Sequence, residues 1–202
     1  MLIGPRYKKA KKLGAHIFDK TQTAKFALRQ ARKKGSDKRG KPKSEFGLQL
    51  LEKQKARFTY GVNERQFSKY VKGIVNKKGG NSQDSLVQVL ESRLDNVVYR
   101  LGLVNSRQAA RQMVSHGHIT VNGKRNNIPS YNVVMGDKIG VSQRSLNSKL
   151  FADLEKKTKE YNYPSWLKYD AGSKSFGIQG MPKLANTEIM FNAASVLQFY
   201  SR

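Results

Sequence analysis

The basic charge of this chain is gathered at one end. Residues 1–80 hold 23 Lys+Arg against 5 Asp+Glu, residues 81–150 hold 9 against 4, and residues 151–202 hold 7 against 5. A segment with a net charge of +18 repels itself as it compacts, so the first 80 residues predict a basic arm and a helical module that await a polyanion, nucleic acid or an anionic membrane surface. The middle and the tail, at +5 and +2, are free to close around cores of their own. A hydrophobic fraction of 38% in 202 residues suffices for one or two small domains and speaks against wholesale disorder.

Cysteine is absent, which excludes disulfides, thiolate metal sites and a cysteine nucleophile, and fits an intracellular chain. Residues 1–6 lack the apolar run of a secretory signal, and the basic N-terminus is Lys-rich where an organellar transit peptide is Arg- and Ser-rich. The apolar stretch 97–104 is short and broken by Arg100 and Gly102, so no membrane span and no membrane partner are expected.

Segment 1–43 carries the clusters Lys8-Lys9, Lys11-Lys12, Arg32-Lys33-Lys34 and Lys38-Arg39, with little amphipathic period outside 23–34. It reads as extended, or as folding on its partner. A helix over 44–57 follows, with Phe46, Leu48, Leu50 and Leu51 as its apolar residues and Gly61 closing the segment. A second helix opens at Asn63, with Gln66 in capping-box register, and runs to about Lys78. Lys53 and Arg57, and Arg65 and Lys69, stand four apart and give each helix a basic stripe.

Leu86, Leu90, Leu94, Val97 and Leu101 share a face, as in one long helix or two broken near Ser92. Ser106 suits the N-cap of a helix over 107–116, with Ala109, Ala110, Met113 and Val114 apolar and Arg107, Gln108, Arg111, Gln112 and Ser115 polar. Gly117 stops it, and residues 118–121 alternate as a strand into the hairpin-turn pair Asn122-Gly123, with Lys124 and Arg125 leading out. Strands over 132–134 and 138–141, a helix over 146–161 and a turn at 163–166 follow. The apolar stretch 187–200 is expected to dock on the 44–78 helices, which makes the middle domain an insertion. The fold class is therefore α+β. A basic arm (1–43) precedes a mainly helical domain (44–84 plus 160–202), which is interrupted by an inserted domain (85–159) of helices on a small antiparallel sheet.

Catalysis finds no support. Gly35 to Lys41 has the G-x-x-x-x-G-K spacing of a phosphate loop, but position 42 is Pro where the magnesium-binding hydroxyl belongs, and no strand precedes the loop. His116 and His118 lack the further ligands of a tetrahedral metal site. Asp95, beside Arg93, reads as a structural carboxylate. Neither a G-x-S-x-G nor a paired-carboxylate spacing occurs, so no enzyme, cofactor or metal is expected.

The constellation that carries function is Ser106, Arg107, Arg111 and Gln112 on one helical face, followed by His118, Asn122, Gly123 and Lys124 on a hairpin. Arginine forks and amides at such places hold phosphates and 2′-hydroxyls of structured RNA, and a tight turn lets backbone amides approach the sugar-phosphate chain.

The strings SRLDNVVYRLG, NSRQAARQMVSHGHITVNGK and IPSYNVVMGDKIGV resemble the small RNA-binding domain named after ribosomal protein four of the small subunit. That domain also occurs in RNA-modifying enzymes and tRNA synthetases, so the flanks decide. FGLQLLEKQKARFTYGVNERQFSKYV at 46–71, YPSWLKYD at 163–170, QFYSR at 198–202 and GPRYKKAKKLG at 4–14 are similar to the ribosomal protein family itself, of the bacterial or chloroplast type and in its cysteine-free form. A pseudouridine synthase would need a catalytic core for which this chain has no room, and a free RNA-binding factor would not require these flanks.

The resemblance implies a constituent of the small ribosomal subunit that binds the 5′ domain of its rRNA at a helix junction and nucleates assembly. It further implies neighbours in small-subunit proteins three and five, a position near the mRNA entry channel, and a part in translational accuracy. Some members repress their own message. The expected location is the cytoplasm, in the small subunit, with the chloroplast stroma as the alternative. Carried over residue by residue, it places RNA contacts at Arg93, Arg107, Arg111, Gln112, His118, Asn122 and Lys124 in the inserted domain. It adds Lys53, Lys55, Arg57, Arg65 and Lys69 in the helical unit, and Arg6, Lys8, Lys9, Lys11, Lys12 and Lys43 in and beside the arm. The mechanism implied is electrostatic capture with counterion release and shape readout of a junction. The chain departs from many members in having neither a Cys-rich zinc knuckle nor a PGQHG segment, its corresponding stretch being GKPKSEFG at 40–47.

Overall fold

A computed structural model describes residues 3–34, 44–77, 80–146, 148–151, 158, 161–170 and 172–201. The chain divides into two compact units, one of residues 1–86 and 189–202, the other of residues 87–188.

The first unit is helical. Helix α1 (Arg6–Leu13) ends at Gly14, whose N–H donates to the Ala10 carbonyl at 2.8 Å, and two 3₁₀ turns (Ala15–Ile17 and Asp19–Thr21) lead to α2 (Ala24–Lys34). Residues 3–34 of the arm are thus folded in the protein alone, where the sequence predicts a segment that is extended or folds on its partner. Ile3, Ala10, Leu13, Ile17, Phe18 and Phe26 gather on Phe58, with Leu51 against them. These apolar residues are spread over several elements and the segments between them, so no single period announces them, while Lys8, Lys11, Lys12, Lys20 and Lys25 among them are exposed. Residues 35–43, including the false phosphate loop and Lys43, lie outside the described residues.

Ser44 caps α3 (Glu45–Tyr60) by accepting from the Gly47 N–H at 3.2 Å, and Gly61, at φ 64°, turns the chain away in the left-handed region. Asn63 caps α4 (Glu64–Val75) by accepting from the Gln66 N–H at 2.8 Å. The reciprocal half of the capping box is missing, because the Gln66 side chain donates instead to the Tyr70 hydroxyl at 2.8 Å. Helix α4 stops at Val75, short of the predicted Lys78, which is outside the described residues. Phe67 and Val71 on its inner face are fully buried, each contributing about 1.5–3 kcal/mol of hydrophobic stabilisation. The C-terminal helix, here α9 (Ala193–Tyr200), packs on α3 and α4. Phe199 stacks on Phe46, Phe191 meets Tyr60 edge-on, and Tyr200 lies against Phe67.

In the second unit the helical stretch near Ser92 is two helices, α5 (Ser82–Glu91), whose start belongs to the first unit, and α6 (Leu94–Arg100). The break is filled by an isolated bridge between Arg93 and Asn132, and the freed N–H groups of Leu94 and Asp95 donate to the carbonyls of Tyr131 and Pro129. Asn132–Val134 is therefore not a strand; its pairing is spent on that bridge. Helix α7 (Arg107–Ser115) is capped by Ser106, which accepts from the Ala109 N–H at 3.2 Å.

Strands β1 (Ile119–Val121), β2 (Lys124–Arg125) and β3 (Lys138–Val141) are joined by β4 (Leu167–Asp170) and β5 (Ser175–Ile178) in one antiparallel sheet of order β2-β1-β3-β5-β4. Ile139 faces Val121 on one side and Phe176 on the other, and with Leu94, Val97, Ala110, Val114 and Trp166 they belong to one core. The sheet carries the unit on to Glu188, where the sequence reading ends the insertion at 159. Of the helix predicted over 146–161, the described residues show the end of a short α8 (Gln143–Leu146), a 3₁₀ turn (Lys149–Phe151) and Thr158 in helical conformation, while residues 147, 159 and 160 lie outside the described set. Residues 152–157 lie outside the described set.

Candidate nucleic-acid interface

In the second unit the interface starts from the amphipathy of α7. Ala110, Met113 and Val114 are buried, which turns Gln112, Ser115 and His116 to solvent and leaves the Arg111 side chain 41% exposed. Gly117, at φ 72°, reverses the chain, and the pair Asn122-Gly123, at φ 52° and 78°, closes the β1–β2 hairpin in the geometry that two-residue turns favour. Lys124 and Arg125 are thereby presented on the exposed strand β2. The Arg125 guanidinium folds back over Gly117 and donates to the His116 carbonyl at 3.0 Å. His118 is fixed by a 2.8 Å contact between its Nδ1 and the Ser145 hydroxyl. Together His116, His118, Thr120, Arg125, Arg144 and Ser145 help to line a cavity of about 720 Å³, whose wall includes no acidic side chain among the described residues. Such a wall of ring nitrogens, hydroxyls and guanidinium groups suits phosphate and ribose oxygens.

Several predicted contacts are turned inward instead. Arg93 is completely buried, its Nε and Nη2 forking onto Asp95 at 3.0 and 2.6 Å, so its guanidinium holds the fold and is closed to a nucleic acid. Asp95 is thus the structural carboxylate that the sequence suggests, and it also accepts from Arg111 at 3.4 Å. Beside it, fully buried Glu91 takes both arms of Arg100 at 2.9 and 2.8 Å and the Asn96 amide at 2.7 Å. Arg107 donates from Nε to Asn96 at 2.7 Å and lies over the Tyr99 ring at 4.4 Å. Asn122 faces the turn, donating to Asp137 at 2.8 Å and accepting from the Lys138 N–H at 2.9 Å. Arginine and asparagine carry no mark in sequence that separates a core fork from a surface one; the adjacent Asp95 is the signal for Arg93.

In the first unit, Lys53 is buried. Its ammonium donates to Glu64 at 3.0 Å and lies over the Phe199 ring at 4.4 Å, so it too serves the fold and not a ligand. Arg57 bonds the other Glu64 oxygen at 2.5 Å, and Lys55 pairs with Glu52 at 2.6 Å. Burial pushes the Glu64 carboxyl up, but hydrogen bonds from Tyr200, Lys53 and Arg57 together outweigh it and hold the carboxyl below the usual carboxylate range. Lys9 donates to the Ile3 carbonyl and sits over Phe58, while Arg6 is half-buried. Of the cations that the resemblance nominates in this unit, Lys8, Lys11 and Lys12 on α1 and Arg65 and Lys69 on α4 are exposed. Lys72 extends the α4 row and escaped the sequence reading, although its i+3 spacing from Lys69 could have flagged it.

Among the described residues no group of three His, Cys, Asp or Glu could hold a metal ion, and no helix is long and apolar enough to cross a membrane.

Residues 1–91 match the family described as Ribosomal protein S4/S9 N-terminal domain, and residues 92–139 match the S4 domain. The division between the two falls at the α5–α6 break. The chain is similar to the small ribosomal subunit protein uS4 of Herpetosiphon aurantiacus, 46% identical over 83% of this chain and 80% of that one. It is also similar to that of Akkermansia muciniphila, 40% identical over 98% of both chains. The protein of the same name from Acetivibrio thermocellus is 46% identical over 79% of this chain and 76% of that one.

Proposed function

The chain belongs to the small ribosomal subunit protein uS4 family, and on that premise we propose that it binds the 5′ domain of small-subunit rRNA at a helix junction and nucleates assembly there. A structural, non-enzymatic role in the ribosome, with rRNA as partner, follows from membership itself. The observation that carries the finer reading is the exposed, one-signed face of Arg111, Gln112, Lys124 and Arg125 beside the polar cavity of the second unit. Two of these cations are oriented by the fold, Arg111 by its bond to Asp95 and Arg125 by its bond to the His116 carbonyl, as shape readout of RNA requires. Lys8, Lys11, Lys12, Arg65 and Lys69 of the first unit add phosphate contacts, and each phosphate neutralised releases counterions.

Within the subunit, the same reading puts proteins three and five and the mRNA entry channel next to the chain and gives it a share in translational accuracy. It places the chain in the bacterial cytoplasm, a choice supported by the bacterial sources of its relatives.

The experiment is equilibrium binding to a 5′-domain rRNA fragment and to an unrelated duplex of equal length, each at low and high salt. Junction recognition predicts that the fragment stays bound at high salt while the duplex is lost. Parallel loss of both along one salt slope would reduce the interaction to charge alone.

A further inference from the structure

The first unit holds a second concave feature that the basic face does not use. Between α1 and α3 lies a groove of about 520 Å³, walled mainly by Pro5, Leu13, Leu50, Leu51 and Phe58. Its rim is basic, with Lys8, Lys9 and Lys12 on the α1 side and no acidic side chain among its described lining residues. Lys9 is engaged by the Ile3 carbonyl and the Phe58 ring, whereas Lys8 and Lys12 are exposed. Gln54 lines the same groove, and its carboxamide oxygen is buried without a hydrogen-bond partner. A buried acceptor left unsatisfied is costly, and such groups are rare in folded proteins.

We propose that this groove takes one unpaired nucleobase of an RNA strand, with the Gln54 carboxamide on the base edge and Lys8 and Lys12 on the flanking phosphates. Three requirements select a base. The occupant must be apolar on its faces to lie among Pro5, Leu13 and Leu50. It must carry a donor at its edge for Gln54, as the exocyclic amines and ring N–H groups of bases do. It must also bring negative charge along the α1 side of the apolar part, where Lys8 and Lys12 stand. Lys8 and Lys12 are one helical turn apart on the same face of α1, about 5–6 Å between Cβ atoms, so they can follow successive phosphates of one strand. An apolar side chain of a protein partner would meet the first requirement and leave Gln54 unanswered. The proposal rests on the reading of the chain as an rRNA binder and adds a base-specific site to it.

The test uses the full chain with the 5′-domain rRNA fragment, combining binding at several salt concentrations with chemical probing of all four bases. Gln54→Leu keeps the packing volume and removes the polar edge. Leu50→Trp fills the groove. Lys8→Gln with Lys12→Gln removes the rim charges. The wild-type chain should protect at least one unpaired base that stays reactive with Gln54→Leu and with Leu50→Trp. Gln54→Leu should bind about fivefold more weakly at an unchanged salt slope, while the double lysine variant should lower the slope by about 1.4. Thermal unfolding of each variant is followed alongside, and Gln54→Leu should unfold no earlier than the wild type.

Wild-type discrimination between fragment and duplex, with all groove variants matching it in affinity and protection, would overturn the groove site and leave the rRNA reading intact. Failure of the wild type itself to discriminate would overturn the rRNA reading and the groove site together. Unchanged binding to naked RNA with poorer retention in small-subunit particles would put a protein segment in the groove and overturn the proposal in that way.

Discussion

The hydroxyl of Tyr200 donates to the Glu64 carboxylate at 2.6 Å, joining positions 136 residues apart. The same carboxylate takes Lys53 and Arg57, so one side chain ties α3, α4 and α9 together. Burial of the Tyr200 hydroxyl and the neighbouring Glu64 both push its ionisation well above the usual tyrosine range, which keeps it a donor at all physiological pH. Tyr200→Phe keeps the ring contact with Phe67 and removes only the hydrogen bond. Because the Glu64 side chain is 43% exposed, the expected loss is about 0.5–1.5 kcal/mol, below that of a buried charged bond. Urea unfolding of the RNA-free chain measures it.

The depressed ionisation of Glu64 has a definite pH signature. A carboxyl whose folded pKa lies below its unfolded one contributes stability that is complete above the unfolded value and vanishes as the pH falls through the folded one. Stability of the first unit should therefore decline as the pH drops below about 4.3. Glu64→Gln should flatten that decline while lowering stability at neutral pH. Denaturation midpoints between pH 3 and 7 for the two proteins decide it, and identical profiles would remove Glu64 from the account.

Arg93 is wholly buried with Asp95 as its fork partner. Asp95→Ala removes the carboxylate facing a buried guanidinium and releases Arg111 from it, so a loss of about 3–5 kcal/mol is expected. Replacement of Gln112, which is exposed, should shift stability by less than about 0.5 kcal/mol. Chemical denaturation of both variants gives the comparison.

Gly102 sits at φ 68°, and a Cβ there would fall 2.6 Å from the Tyr161 ring, whereas Gly61, at φ 64°, has open space around it. Both Gly→Ala variants bear the left-handed penalty of about 1–2 kcal/mol, and only Gly102→Ala must also displace the ring. Its melting temperature should fall further, and equal losses would show that Tyr161 yields freely.

For RNA, the charge pair Arg111 and Lys124 is set against Lys11 and Lys12. Each double alanine variant removes two positive charges, so counterion release alone predicts equal losses. Positioned contacts in the second unit predict a larger loss for Arg111→Ala with Lys124→Ala, by about 1–3 kcal/mol in binding to the rRNA fragment. Arg107 is a poorer probe than its spacing suggests, because its bond to Asn96 couples its removal to the fold.

Local signals were legible where one residue type does one job. Asn63 and Ser106 cap their helices as their positions imply, and Asn122-Gly123 makes the hairpin turn. Strands β4 and β5 escaped notice although Leu167-Lys168-Tyr169-Asp170 alternates apolar and polar, because a run of four is too short to stand out without its partner. The folded arm was missed for a related reason: its apolar cluster is assembled from residues 3 to 58, and its surroundings are lysine.

By itself the sequence determined the charge gradient, the caps and turns, the amphipathy of α7 and the family strings, all of which depend on neighbours within a few residues. Tertiary structure decided which cations meet solvent. Arg93, Arg100 and Lys53 are as basic as Arg111, Lys124 and Lys69, yet the first three are closed around Asp95, Glu91 and Glu64. A charge buried in a low-dielectric interior must find an opposite charge there, and that partner is fixed by packing rather than by position in the chain.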